Sequence, residues 1–145
     1  LIATGTGFAP FASLIRDPDL YERYDEVILC HTCRDLAELD YSKELVNSLP
    51  TDPLIGEFIG DKLTYYPTTT RENSINMGRI TKLLVDGTLS KDLNLPPLNP
   101  ETDRLMVCGS IDLNNDIKKI CDAAGMNEGS NSSPSHFVVE KAFVG

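Results

Sequence analysis

Short apolar runs alternate with amphipathic stretches along the whole of this 145-residue chain. Leu1–Thr4 reads as a strand that runs straight into Gly5-Thr6-Gly7-Phe8-Ala9-Pro10, with a helix expected over about Phe8–Arg16. Pro18–Tyr24 suits a second, short helix with proline at its start. Val27-Ile28-Leu29-Cys30 is a continuous apolar run, the mark of a strand covered on both faces. Asp35 and Glu38 are spaced as a capping pair for a helix from Leu36 to about Ser48, and Asn47–Pro53 is a cluster of breakers. Lys62–Tyr66, rich in aromatic and β-branched residues, is the third strand. A polar loop over Thr68–Asn76 precedes a helix over Ile80–Asp86, stopped by Gly87. Leu95–Pro100 is an extended link to the fourth strand, Arg104–Cys108. A helix over Leu113–Ala124 ends at Gly125, Gly129–Pro134 is a loop, and Phe137-Val138-Val139 is the fifth strand. No repeat or low-complexity tract interrupts the order. The alternation predicts an α/β fold: a doubly wound, five-stranded, mostly parallel sheet with helices on both faces. Its ligand crevice belongs at the carboxyl ends of strands one and four, where they lie side by side.

Composition narrows the class. The length suits one domain with its own core, and 41% hydrophobic against 24% charged residues is globular rather than disordered. A net charge of −9 argues against nucleic acid as a partner. No apolar run approaches the ~18 residues of a membrane span, no signal peptide is visible, and a cytoplasmic monomer is expected. A strand that begins at Leu1 without a lead-in reads as a chain cut at a domain boundary. Cys30, Cys33, Cys108 and Cys121 are even in number, which permits two disulfides. Three of them lie inside apolar patterns, where free cysteine behaves as a small hydrophobe, and reduced thiols are the favoured reading. Cys30-His31-Thr32-Cys33 has the look of a redox or zinc motif. On a strand its two thiols point to opposite faces, no second ligand pair exists, and no metal is expected.

The candidate chemistry lies at strand ends. Two glycines one residue apart, Gly5 and Gly7, allow a sharp turn and the close approach of a ligand that a Cβ would block. The helix behind them would aim N–H groups at a phosphate; the bland alternative is a turn that needs glycine for packing alone. Cys108-Gly109-Ser110 ends the fourth strand in the same manner. Arg34, Arg71 and Arg79 follow the second and third strands, on the side of the sheet where the adenosine half of a dinucleotide would rest. They either grip a 2′-phosphate, which a guanidinium fork suits, or pair at the surface with Asp35, Glu38 or Glu72. Cys108 is either core filler or a small polarisable contact for a flat ring. Glu140 is either a strand-end charge or a carboxylate oriented on a reacting cofactor. Of Tyr65 and Tyr66 one is expected in the core, and Tyr41 reads as a packing residue. His31 and His136 have no partners at triad or metal spacing and are given no role.

Gly5-Thr6-Gly7-Phe8-Ala9-Pro10, His31-Thr32-Cys33-Arg34, Thr69-Thr70-Arg71-Glu72, Gly78-Arg79-Ile80, Met106-Val107-Cys108-Gly109-Ser110 and the closing Phe137–Gly145 together resemble the bacterial ferredoxin/flavodoxin–NADP⁺ reductases. The match runs in order over residues 1–145 and covers the NADP(H)-binding domain, without the N-terminal FAD-binding β-barrel of that family. The resemblance implies an FAD-dependent oxidoreductase exchanging hydride with NADP(H) and electrons with ferredoxin or flavodoxin. It places Gly5, Thr6, Gly7 and Pro10 at the pyrophosphate and nicotinamide ribose, and Arg34, Arg71 and Arg79 at the adenosine 2′-phosphate. It places Cys108 and Glu140 beside the nicotinamide, with Gly109 and Ser110 next to them. Ala142 falls where plant-type relatives put a terminal tyrosine, and Phe143 begins a tail over the FAD. Alone, such a half is expected to bind NADP(H) without turnover. The competing expectations are an NADH-dependent flavin or oxygenase reductase module, and a non-catalytic dinucleotide-binding domain.

Overall fold

A computed structural model describes residues 1–130 and 132–141. Five strands, β1 (Ile2–Thr4), β2 (Val27–Cys33), β3 (Leu63–Thr69), β4 (Leu105–Gly109) and β5 (Phe137–Lys141), form one sheet in the order β3-β2-β1-β4-β5. Every pairing is parallel. The chain winds outward from β1 to β3, returns to the far side of β1, and winds outward again through β4 to β5. The reversal places the switch point between β1 and β4, as the alternation of the sequence predicts.

Among the described residues the connections carry seven α-helices: α1 (Ala9–Leu14), α2 (Pro18–Arg23), α3 (Asp40–Ser48), α4 (Gly56–Ile59), α5 (Ile80–Val85), α6 (Thr88–Leu93) and α7 (Ile111–Ala123). They divide between the two faces of the sheet because side chains alternate along each strand. Ile2, Cys30, Tyr66 and Val107 face α5, α6 and α7, packing with Ile80, Leu89 and Ile117. Ala3, Leu29 and Cys108 face α1, α2 and α4, packing with Phe11, Tyr21 and Ile59. The sheet is therefore doubly wound, and apolar positions on both faces explain the unbroken runs of the strands. No helix among the described residues is long and apolar enough to cross a membrane.

Element boundaries depart from expectation where polar residues are buried. β2 continues past Cys30 through His31 and Thr32, which are 3% and 6% exposed. β3 continues through Thr68 and Thr69, both fully buried. The Thr32 and Thr68 hydroxyls bond each other across the two strands at 2.6 Å, so burial costs them no lost partner. The helix expected over Leu36–Ser48 begins as a 3₁₀ turn, Leu36–Leu39, in which Asp35 and Glu38 form the capping box. α7 starts at Ile111, capped by the Ser110 hydroxyl, rather than at Leu113. α4 and α6 occupy stretches without an apolar period of their own.

Candidate functional site

The turn that leaves β1 is a 3₁₀ turn over Gly5–Phe8 that leads into the six-residue α1. Gly5 adopts a left-handed backbone, φ +51°, which glycine alone takes freely. Gly7 serves a different need: a Cβ there would be driven into the main-chain carbonyl of Cys108. Gly109 is hemmed in likewise, with Leu113 Cδ2 2.6 Å from where its Cβ would stand and the Thr4 hydroxyl closer still. The Ser110 N–H donates to Thr4 Oγ1 at 3.2 Å. The ends of β1 and β4 thus close on one another, and the backbones of Gly5, Thr6, Gly7, Gly109 and Ser110 meet at the switch point. Gly5, Thr6 and Ser110 are exposed there.

Cys108 pairs in register with Ala3 on one side and Glu140 on the other. Its side chain borders a shallow pocket of about 140 Å³, shared with Pro10, Leu14, Met106, Val138 and Glu140. Burial, and then the Glu140 carboxylate, push the Cys108 thiol above its ordinary pKa. It stays protonated at neutral pH and offers a soft, uncharged surface rather than a nucleophile. Glu140 is exposed, and its main-chain carbonyl accepts from Asn114 Nδ2 at 3.1 Å. Ala142 and Phe143 lie outside the described residues.

The three arginines are brought to one side of the sheet by the backbone. Arg34 directly follows β2, and its carbonyl accepts from the N–H groups of Arg71 and Glu72 at 3.0 and 3.1 Å. Met77 bridges Thr69 at the end of β3, and the Gly78 N–H returns to the Thr69 carbonyl at 2.9 Å, which sets Arg79 beside them. All three side chains are exposed, and none forms an ion pair among the described residues. The acids that would neutralise them are engaged elsewhere. Glu72 accepts the Leu36 N–H at 2.8 Å, and Glu38 accepts the Asp35 N–H at 3.2 Å. The surface-pairing alternative thus has no pair in the structure, and the cationic group at the ends of β2 and β3 is free to meet an anion.

Sequence reasoning passed over His31, which is buried beneath the turn. Its Nε2 lies 2.9 Å from the Gly5 carbonyl and its Nδ1 2.7 Å from Ser42 Oγ. Its ring stacks on Phe8, centroids 5.1 Å apart, and Phe8 meets Tyr41 edge-on. The Tyr65 hydroxyl bonds Ser42 in turn, while Tyr66 is the core tyrosine and donates to Asp92 Oδ2 at 2.6 Å. The signal was in the chain: His31 shares strand parity with Leu29 and Cys33 and so faces the same layer. His136 has a local task, accepting the Asn127 N–H at 2.8 Å. The four cysteines are free and buried. Burial raises Cys30, Cys33 and Cys121 to about 11. Among the described residues no three metal-ligating side chains gather.

The family model for the oxidoreductase NAD-binding domain matches residues 1–119. The chain is similar to the flavodoxin/ferredoxin–NADP reductase of Rhodobacter capsulatus, 58% identical over 99% of this chain and 53% of the relative. It is 47% identical to ferredoxin–NADP reductase A of Sorangium cellulosum, over 100% of this chain and 52% of that protein. Among solved structures it resembles a ferredoxin NADP⁺ reductase from Neisseria gonorrhoeae crystallised with bound FAD and NADP. That likeness has a TM-score of 0.79 at 27% identity and covers 98% of this chain and 55% of the other. The chain spans about half the length of the curated relatives it matches.

Proposed function

The chain belongs to the oxidoreductase NAD-binding domain family, and from that premise we propose that it is the NADP(H)-binding half of an FAD-dependent ferredoxin/flavodoxin–NADP⁺ reductase. The observation that carries the reading is the group formed by Arg34, Arg71 and Arg79, unpaired among the described residues and set at the ends of β2 and β3, on one side of β1 and its Gly5–Gly7 turn. Free arginines repel one another and are costly to gather unless an anion joins them. A 2′-phosphate on the adenosine ribose is such an anion, and NAD(H) lacks it. The Gly5-Thr6-Gly7 backbone then lies at the pyrophosphate, since nothing within 4 Å fills the space where a Cβ of Gly5 would stand. Pro10, Cys108, Gly109 and Ser110 border the nicotinamide end.

When bound, NADPH supplies a hydride from nicotinamide C4 to the flavin, and the chemistry of that transfer belongs to the two cofactors. The residues of this chain bind and orient. Cys108 offers a protonated thiol, which adds no charge against the ring. Glu140, opposite it, places a carboxylate where positive charge on an oxidised nicotinamide is favoured. Ala142 and Phe143 belong to the flavin side in this reading, and FAD is held by the part of the protein that the relatives have beyond this chain. Ferredoxin or flavodoxin is the electron partner, and the protein works as a cytoplasmic monomer.

Calorimetry with the two nucleotides tests the reading. Each charge-assisted contact is worth roughly 1.5–3 kcal/mol, so NADP⁺ should bind at least ~10-fold more tightly than NAD⁺. Arg71→Ala and Arg79→Ala should each weaken NADP⁺ and leave NAD⁺ nearly unchanged. Equal affinities for the two nucleotides would overturn the 2′-phosphate assignment and favour an NADH-dependent module.

A further inference from the structure

Three side chains beneath the Gly5–Gly7 turn form a directed chain of hydrogen bonds that ends on a main-chain carbonyl. A carbonyl oxygen can only accept, so the 2.9 Å contact between His31 and Gly5 fixes the proton on Nε2. Burial holds the imidazole pKa below its ordinary 6.5, so at neutral pH Nδ1 is bare and accepts from the Ser42 hydroxyl, 2.7 Å away. That hydroxyl has one proton. Its other acceptor, the Leu39 carbonyl, is more distant at 3.1 Å. The Tyr65 hydroxyl must therefore donate to Ser42 Oγ. Proton direction runs from Tyr65 to Ser42 to His31 to the Gly5 carbonyl. Ser42 is fully buried and His31 is 3% exposed, and Phe8 stacks on the ring. The imidazole cannot turn without breaking these contacts.

The receiving carbonyl belongs to a peptide unit of consequence. No cis bond occurs among the described residues, and in a trans peptide the C=O of one residue and the N–H of the next point in opposite directions. Drawing the Gly5 carbonyl inward to His31 turns the Thr6 N–H outward, at a residue that is exposed beside the switch point. Gly5 also has a left-handed backbone, and the freedom of a glycine leaves that peptide plane weakly determined by the chain itself. We propose that His31 is a positioning residue of the nucleotide site, held by Ser42 and Tyr65, which sets the Gly5–Thr6 peptide so that the Thr6 N–H meets a pyrophosphate oxygen. The role rests on the nucleotide reading given above, and it assigns a buried imidazole to binding without contact with the ligand.

The test separates the pyrophosphate from the 2′-phosphate. His31→Phe keeps the stacked ring and removes the donor; His31→Gln keeps a donor near the position of Nε2. With His31→Phe, NADP⁺ should bind about 5-fold more weakly, while adenosine 2′-monophosphate, which has no pyrophosphate, should bind within about 2-fold of wild type. His31→Gln should recover most of the NADP⁺ affinity. Equal loss of both ligands, or no loss of either, overturns the role. Should His31→Phe fail to fold, Ser42→Ala gives the same split at smaller amplitude. Independently, ¹⁵N NMR of the wild-type imidazole should show the Nε2–H tautomer with Nδ1 bare. The opposite tautomer overturns this role alone, whereas a wild type that binds neither ligand overturns the nucleotide reading and this role with it.

Discussion

Gly5 and Gly7 stand two residues apart and are glycines for unrelated reasons, which substitution should separate. An alanine methyl at position 7 has nowhere to go except into the Cys108 backbone. Backbone cannot rotate aside as a side chain can, so Gly7→Ala should lower stability by about 1–3 kcal/mol and spread β1 from β4. At Gly5 the space is open and only the left-handed conformation resists, at a cost of about 1–2 kcal/mol. Urea unfolding should find both variants weakened. Spreading at position 7 also moves the Cys108 main chain, so the near-ultraviolet or NMR signature around β4 should change with Gly7→Ala only; an unchanged β4 signature would show that the contact relaxes freely. His31 adds a titration. Because burial lowers its pKa, the unfolded chain takes up a proton at higher pH than the folded one. Its contribution to stability is complete above about pH 6.5 and is lost as the pH falls toward the lowered value, by at most ~1.4 kcal/mol per pH unit. Urea midpoints followed from neutral pH downward should fall less steeply in His31→Gln than in wild type. Parallel slopes would mean that the imidazole is not neutral in the fold.

At the scale of elements, Ser110 is the clearest single contribution. Its hydroxyl accepts the Leu113 N–H at 3.2 Å and begins α7, whose Leu113, Ile117 and Cys121 cover β4 and β5. Ser110→Ala should cost about 1 kcal/mol in thermal or urea unfolding; a neutral variant would mean that α7 is held by its apolar face alone. The elements also show what a sequence can carry. All five strands and the capping pair at Asp35 and Glu38 were legible, since apolar runs and side-chain spacing encode them locally. Thr68 and Thr69 were assigned to a loop, because nothing local marks a threonine as buried: the Thr68 hydroxyl finds its partner across the sheet in Thr32, 36 residues away. α4 and α6 were missed for a related reason: Gly56–Ile59 and Thr88–Leu93 are too short to display a period and are held by what they pack on. The glycines and arginines of the candidate site could be named from the chain. The relay beneath them could not, as it joins residues 5, 31, 42 and 65 through contacts that no spacing rule describes.

For the whole molecule, the division of labour sets the expected behaviour in solution. The chain spans about half of its curated relatives, and in the proposed reading the flavin belongs to the other half. Purified alone, it should be colourless, should bind NADP⁺, and should not reduce a dye with NADPH. Absorbance and a dye-reduction assay check this, and activity without added flavoprotein would mean that the redox centre had been misassigned. The strand order has a separate consequence, for the route by which the sheet is assembled. β1 lies at its centre, joined on one side to residues 28 positions away, as Ile2 to Cys30, and at its tip to Ser110, 106 positions away. Each doubling of a closed loop costs only ~0.6 kcal/mol more, so the distant pairing is affordable at equilibrium. It is slow to find, however, because contacts far apart in sequence delay the rate-limiting search. β1, β2 and β3 can associate as soon as the first half of the chain exists, leaving one edge of β1 bare until β4 arrives. The switch point proposed to receive the ligand is thus a seam that closes only after the first half of the sheet has formed, and during synthesis on the ribosome that edge of β1 stays open to pairing with a wrong strand until β4 arrives.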